Sequence, residues 1–242
     1  MLNEFDADPV RERVIVALDC PRTEALALAR QLVGEAAWVK VGMTLYYACG
    51  PDIVTALKSL GFKVFLDLKL HDIPHQVEGA AAAAAHAGAD MISLHAAGGL
   101  AMMQAARRGV EDACAQDGRP PAVTVGITVL TSMDASALAQ VGIDRAPIDQ
   151  VEILARVAKN AGVSGVVASP REARMLRDLL GQRAYIVTPG VRPAGSERGD
   201  QSRTATPAEA FSDGASHIVV GRPITQAPDP LTAFQEIVAS CV

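Results

Sequence analysis

The sequence predicts an α/β protein of one domain, residues 1–242, folded as a closed (β/α)8 barrel, the TIM-barrel architecture. Three observations carry this expectation. The length of 242 residues is close to the roughly 250 typical of one such barrel. Eight short β-rich runs alternate with Ala- and Leu-rich stretches of helical period from one end of the chain to the other. The runs are continuously apolar rather than alternating, the mark of parallel strands buried on both faces.

The predicted strands are Val14–Leu18, Trp38–Gly42, Lys63–Leu68, Met91–His95, Val123–Val129, Gly165–Ala168, Tyr185–Thr188 and His217–Val220. Between and after them the helical pattern covers Glu24–Val33, Asp52–Leu60, Val77–Ala87, Leu100–Ala115, Gln150–Ala161, Pro170–Leu180, Pro207–Ser212 and Pro230–Ser240. Thr23 precedes Glu24 as a cap candidate, and Pro170 and Pro207 stand where a first-turn proline is tolerated. No G-x-G-x-x-G follows the first strand, which argues against a dinucleotide fold. Residues 1–12 read as an N-terminal extension. Residues 189–206, rich in Gly, Pro, Arg and Ser, form a loop too long for a plain connection, and such loops are usually functional.

Half of the residues are hydrophobic and 20% are charged, composition for a large core and against disorder. The net charge of −5 argues against nucleic acid or an anionic membrane as main partner, yet leaves room for a local basic pocket. Four cysteines are scattered without a C-x-x-C pair, and five histidines show no metal-ligand spacing, so neither a disulfide framework nor a metal site is expected. The charged start and the lack of a long apolar run predict a soluble, cytoplasmic protein.

The most informative segment is Phe65-Leu66-Asp67-Leu68-Lys69-Leu70-His71-Asp72-Ile73-Pro74. Residues two apart on a strand share a face, so Asp67 and Lys69 point together while Leu66 and Leu68 point away. At the C-terminal end of a barrel strand the inward face opens onto the active site. Asp72 follows three residues later, giving an Asp-Lys-Asp set that needs pairing if buried. An ion pair tying a strand end to a loop is the plain alternative. Lys40 adds weight to a functional reading, because two of the five lysines lie in strand-like apolar runs. Asp19 ends the first strand in the same way, so charges on three strands are expected to meet at one mouth.

These residues resemble the orotidine 5′-phosphate decarboxylase family, whose signature core is D-x-K-x-x-D-I-P, here Asp67 to Pro74. The likeness spans nearly the whole chain: Ala-Leu-Asp19, Val-Lys40-Val-Gly, Leu94-His95-Ala96 with Gly98-Gly99, Thr128 to Met133, Thr188-Pro-Gly-Val-Arg192-Pro with Gly199-Asp-Gln201, and Val220-Gly221-Arg222-Pro223. One departure is Gln76, where the family commonly has threonine.

The resemblance implies cofactor-free conversion of orotidine 5′-phosphate to uridine 5′-phosphate and carbon dioxide, the final step of de novo pyrimidine synthesis. It makes Lys69, Asp67, Asp72 and Lys40 catalytic: Lys69 stabilises charge at C6 and donates a proton, and its flanking carboxylates fix its position. Asp67 lies near the substrate carboxylate, Lys40 and Asp19 serve the ribose and the charge network, and Thr131 serves the base. Arg192, Gln201, Gly221 and Arg222 hold the phosphate, with residues 189–206 closing over it. It further implies a homodimer with shared active sites, in which Asp72 reaches its partner's site and Ile73 and Gln76 belong to the same segment. Two rivals stand beside this reading: a magnesium-dependent sugar-phosphate decarboxylase or aldolase of a related barrel, and a barrel that binds a phosphorylated ligand without catalysis. His86, His217, Trp38, Met102 and Met103 are expected to be structural; His71 could simply pack or bond the loop, and for His95 a structural role weighs at least as much as a catalytic one.

Overall fold

A computed structural model of the chain describes residues 3–193 and 205–241. Among them the element order is β1 Val14–Ala17, α1 Arg22–Leu32, β2 Trp38–Gly42, α2 Met43–Cys49, α3 Asp52–Ser59, β3 Lys63–Leu70, α4 Pro74–His86, β4 Met91–His95 and α5 Gly99–Gln116. It continues with β5 Val123–Ile127, α6 Ala135–Gln140, α7 Pro147–Ala161, β6 Gly165–Val167, α8 Ala173–Leu180, β7 Tyr185–Thr188, α9 Pro207–Ser212, β8 His217–Val220, α10 Arg222–Thr225 and α11 Pro230–Ala239. The strands pair in parallel in chain order, and β8 pairs with β1 to close the barrel.

The continuous apolar runs follow from two hydrophobic layers. Ile15, Ala17, Trp38, Phe65, Met91, Val125, Ile127, Val167, Val187 and Val219 fill the barrel interior. Their strand neighbours, such as Val16, Val39, Val64, Leu66 and Ile92, pack outward against the helices. Each strand is thus apolar on both faces, as expected for parallel strands covered by crossover helices. Removing any one large side chain of this kind forfeits about 1.5–3 kcal/mol of transfer energy before cavity costs.

The strand N-termini are sealed by an aromatic layer. Phe5, in a 3-10 turn over Glu4–Ala7, meets the Tyr185 ring edge-on at 4.8 Å, and Tyr185 stacks on His217 at 5.5 Å. Trp38 meets His217 edge-on from the other side. Burial, with Arg13 and Lys63 adding, pushes the His217 imidazole down to about 3, so it stays neutral.

Several boundaries differ from the sequence reading. α1 begins at Arg22 after Pro21, so Thr23 lies inside the first turn and no side chain caps the helix. The short helices α2, α6 and α10 were not expected, because two turns or fewer carry too little periodicity to read. β3 runs to Leu70, past the expected Leu68. Pro170 starts a 3-10 turn, and Pro207 follows a Thr206–Glu209 capping box, as first-turn prolines do.

Candidate active site

The inward register that fills the barrel turns polar one step above the apolar interior. On β1 the series Ile15, Ala17 leads to Asp19; on β2 Trp38 leads to Lys40 and Gly42; on β3 Phe65 leads to Asp67 and Lys69. Three strand ends therefore deliver their charges to one place. Lys40 Nζ lies 2.8 Å from Asp19 Oδ1 and 3.8 Å from Asp67 Oδ2, and Lys69 Nζ lies 2.7 Å from Asp67 Oδ2. Lys40 and Asp67 are buried, Lys69 is partly open to the cavity, and the Asp19 side chain is largely exposed.

The chain around the cluster is shaped to hold it. Gly42 pairs with Asp67 across β2 and β3, and a Cβ at Gly42 would stand 2.8 Å from Asp19 Oδ1 and 3.0 Å from Lys40 Nζ. Glycine there leaves the room that the Lys40–Asp19 pair occupies. Lys69 has φ of 54°, the one left-handed non-glycine backbone among the described residues, where the β3–β4 pairing slips between Leu66 and Leu70. Such a conformation costs on the order of 1–3 kcal/mol and must be held by its surroundings. The Lys69 N–H donates to Ser93 Oγ at 2.9 Å, and Ser93 Oγ donates to Asp67 Oδ1 at 2.8 Å.

Burial alone would raise the Asp67 carboxyl. The Lys40 and Lys69 ammonium groups, with hydrogen bonds from Lys69 and Ser93, outweigh it and hold the group below the usual carboxylate range. Asp67 is therefore an anion at neutral pH despite being buried. Burial also lowers the His95 imidazole, together with His71 and Lys69, while burial raises the Cys20 thiol to about 11, too high for a thiolate nucleophile.

The cluster forms one wall of a cavity of about 730 Å³. Its apolar floor is Ala17, Phe65, Ile127, Val167 and Val219. Val129–Ser132, including Thr131, form a second side, and Pro189, Gly190, Arg192, Gly221 and Arg222 close the third. The volume suits a nucleotide-sized ligand, for small-molecule sites run to about 300–1,000 Å³. Among the described residues no group of three or more His, Cys, Asp or Glu side chains gathers at metal-binding distance.

Of the residues expected at the site, Asp19, Lys40, Asp67, Lys69, Thr131, Arg192, Gly221 and Arg222 converge on this cavity. Asp72, Ile73 and Gln76 do not line it. Asp72 is exposed and accepts a hydrogen bond from the Ile73 N–H at 2.6 Å, so the compact Asp-Lys-Asp cluster is not assembled within one chain. The β3 strand ends at Leu70 and the backbone turns into α4, which carries Asp72 away from Lys69. Ile73 is 63% exposed, and Gln76 lines a shallow hollow on α4 facing Asp112 and Gln116 of α5. Gln201 lies outside the described residues. Ser93 and Gly42 were missed, although the same two-residue alternation, applied to Met91, Ser93 and His95, places Ser93 on the inward face.

A closed barrel with a fixed charge array at the C-terminal mouth and a cavity of this size defines a (β/α)8-barrel enzyme acting on a small molecule. The orotidine 5′-phosphate decarboxylase / HUMPS family matches the chain over residues 12–237, and the chain belongs to this family. It is 51% identical over 240 residues to the orotidine 5′-phosphate decarboxylase of Moorella thermoacetica, covering 98% of this chain and 95% of that one. It is 48% identical over 225 residues to that of Chromohalobacter salexigens, covering 93% of each. The crystal structure of orotidine 5′-phosphate decarboxylase from Lactobacillus acidophilus superposes with a TM-score of 0.84 at 37% identity, over 95% of this chain and 99% of that one. No helix among the described residues is long and apolar enough to cross a membrane.

Proposed function

We propose that this cavity converts orotidine 5′-phosphate to uridine 5′-phosphate and carbon dioxide without a cofactor, a step of pyrimidine biosynthesis. The names of the curated relatives support the substrate. The observation that carries the chemistry is the Lys69 ammonium, 2.7 Å from the buried Asp67 carboxylate at the mouth of the cavity. Loss of carbon dioxide from C6 leaves a carbanion with no adjacent carbonyl to absorb the charge, so a pre-oriented cation must stabilise it. Lys69 meets that need and carries the proton that C6 then takes up. Asp67 holds the ammonium in place and presents a negative charge beside the carboxylate that departs.

The remaining residues divide by chemistry. Lys40 and Asp19, an ion pair at the rim, suit the ribose hydroxyls, and Thr131 suits the base. Arg192 and Arg222 also line the cavity, where guanidinium groups match phosphate oxygens, with Gly221 giving backbone access and Gln201 assigned to the phosphate with them. The long loop would close over the phosphate and let its binding energy serve the reaction.

Assembly belongs to the same proposal. Asp72 and Ile73 stand exposed beside the mouth, and Met43, Tyr47 and Leu100 on neighbouring units are exposed apolar side chains. A homodimer would cover this face and bring Asp72, Ile73 and Gln76 to the partner's site. A cytoplasmic location fits four free cysteines.

The test is a spectrophotometric assay with orotidine 5′-phosphate, run after dialysis against EDTA and again with added magnesium. Turnover unaffected by either treatment is expected. No turnover by pure folded protein, or an absolute need for magnesium, overturns the proposal.

A further inference from the structure

We infer that Ser93 is a positioning residue of the reaction: one buried hydroxyl sets both the backbone of Lys69 and the orientation of the Asp67 carboxylate. The inference rests on the roles proposed above for Lys69 and Asp67. Ser93 lies on β4, between Met91 and His95, fully enclosed. Its oxygen accepts the Lys69 N–H at 2.9 Å and donates its proton to Asp67 Oδ1 at 2.8 Å. A hydroxyl has one proton to give, and an ionised carboxylate can only accept, so the direction of both bonds is dictated.

Two consequences follow for the reacting groups. With Oδ1 held by Ser93, Asp67 turns Oδ2 toward the ammonium groups, 2.7 Å from Lys69 Nζ and 3.8 Å from Lys40 Nζ. The carboxylate cannot rotate without breaking one of these contacts. The second consequence is at the backbone. The β3–β4 ladder slips where Lys69 adopts φ of 54°, and the Ser93 oxygen serves the Lys69 N–H there. A buried N–H needs such a partner, and the left-handed turn needs a restraint. Ser93 supplies both from the neighbouring strand, and so aims a side chain it never touches. Burial disfavours the Asp67 anion, and the hydrogen bond from Ser93 acts with the two lysines to favour it.

The experiment compares Ser93→Ala, Ser93→Cys and Ser93→Thr with wild type in the full-length protein, with Lys69→Ala and Asp67→Asn as controls. Ser93→Ala should lower kcat on the order of 10- to 100-fold, as loss of a supporting hydrogen bond does, with uridine 5′-phosphate binding changed by less than about threefold. The acid limb of its kcat/KM profile should move to higher pH, because Asp67 then protonates more readily. Ser93→Thr, which keeps the hydroxyl, should recover most of the rate. Ser93→Cys, of similar size but a weak donor, should lose rate in the same direction and carries the test if the alanine variant does not fold. Wild-type kcat and an unmoved pH profile in a folded Ala or Cys variant overturn the inference, as does a kcat loss that Thr does not restore. Turnover surviving in Lys69→Ala and Asp67→Asn would instead sink the site assignment itself.

Discussion

Lys69 and Asp67, two residues apart on β3, are held 2.7 Å from ammonium nitrogen to carboxylate oxygen although the Lys69 backbone is left-handed. The contact is built from strain and burial together, a cost that the Ser93 and Lys40 contacts around the pair help to offset. Lys69→Ala should therefore abolish measurable turnover and leave binding of uridine 5′-phosphate within a few-fold of wild type. The reason is that Lys69 acts on charge present only in the transition state. Stopped assays together with calorimetric titration of the product decide it: equal losses of rate and of product binding would remove Lys69 from the chemical step.

Asp72 is exposed and does not line the cavity of its own chain, which makes the shared-site proposal sharply testable. Lys69→Ala and Asp72→Asn proteins should each be nearly inactive. Unfolded and refolded together, they form mixed dimers with one doubly defective site and one intact site. Random exchange makes about half the dimers mixed, so about a quarter of wild-type activity should return. If mixed dimers form, shown by differently tagged chains, and no activity returns, Asp72 serves its own subunit.

Arg222 lines the same cavity as Lys40 and Lys69, at the end of β8. Arg222→Ala should raise KM for orotidine 5′-phosphate strongly, by roughly 2–3 kcal/mol for a charge-assisted contact. Turnover of orotidine, which lacks the phosphate, should change little. Equal damage to both substrates would assign Arg222 to the fold.

The buried His217 predicts an acid-sensitive stability. Its folded-state pKa is pulled down to about 3, from an ordinary value of 6.5, chiefly by burial. Between these values the unfolded chain binds a proton that the folded chain refuses. Stability from this residue is thus complete above 6.5 and falls as pH drops toward 3, by about 1.4 kcal/mol per pH unit. Urea midpoints across this window should fall more steeply for wild type than for His217→Phe, which cannot take up the proton. Parallel slopes would mean that the folded state accommodates the charged ring.

Most of the barrel was legible because its signals are local. Continuous Val- and Ile-rich runs mark strands covered on both faces, and four of them, Trp38–Gly42, Met91–His95, Tyr185–Thr188 and His217–Val220, have the expected bounds. Chain order then sets the rest, since parallel neighbours joined by right-handed crossovers close in sequence. The meeting of Asp19, Lys40, Asp67 and Lys69 could also be read, because the two-residue alternation of a strand carries each charge to the inward face at the same end.

Helix α1 shows the first limit: Thr23 looks like a cap, yet Pro21 and Arg22 begin the helix, and the competing local preferences are worth little against tertiary packing. Asp72 shows the second. From the sequence alone it joins Lys69 and Asp67 as one cluster of three, but a strand end and a helix start between them send it outward. Direction after a turn depends on backbone dihedrals that no spacing encodes.

What the sequence by itself determined is the number of strands, their parallel barrel arrangement and the identity of the charges at the mouth. These depend on periodicity and side-chain chemistry, which are properties of short stretches. Only the tertiary structure decided that Ser93 joins Lys69 to Asp67, that Gly42 makes room for the Lys40–Asp19 pair, and that Asp72 leaves its own site. Each of those depends on the register between strands and on a slip in the β3–β4 pairing, and hydrogen-bond distances between residues far apart in the chain exist only once the barrel has closed.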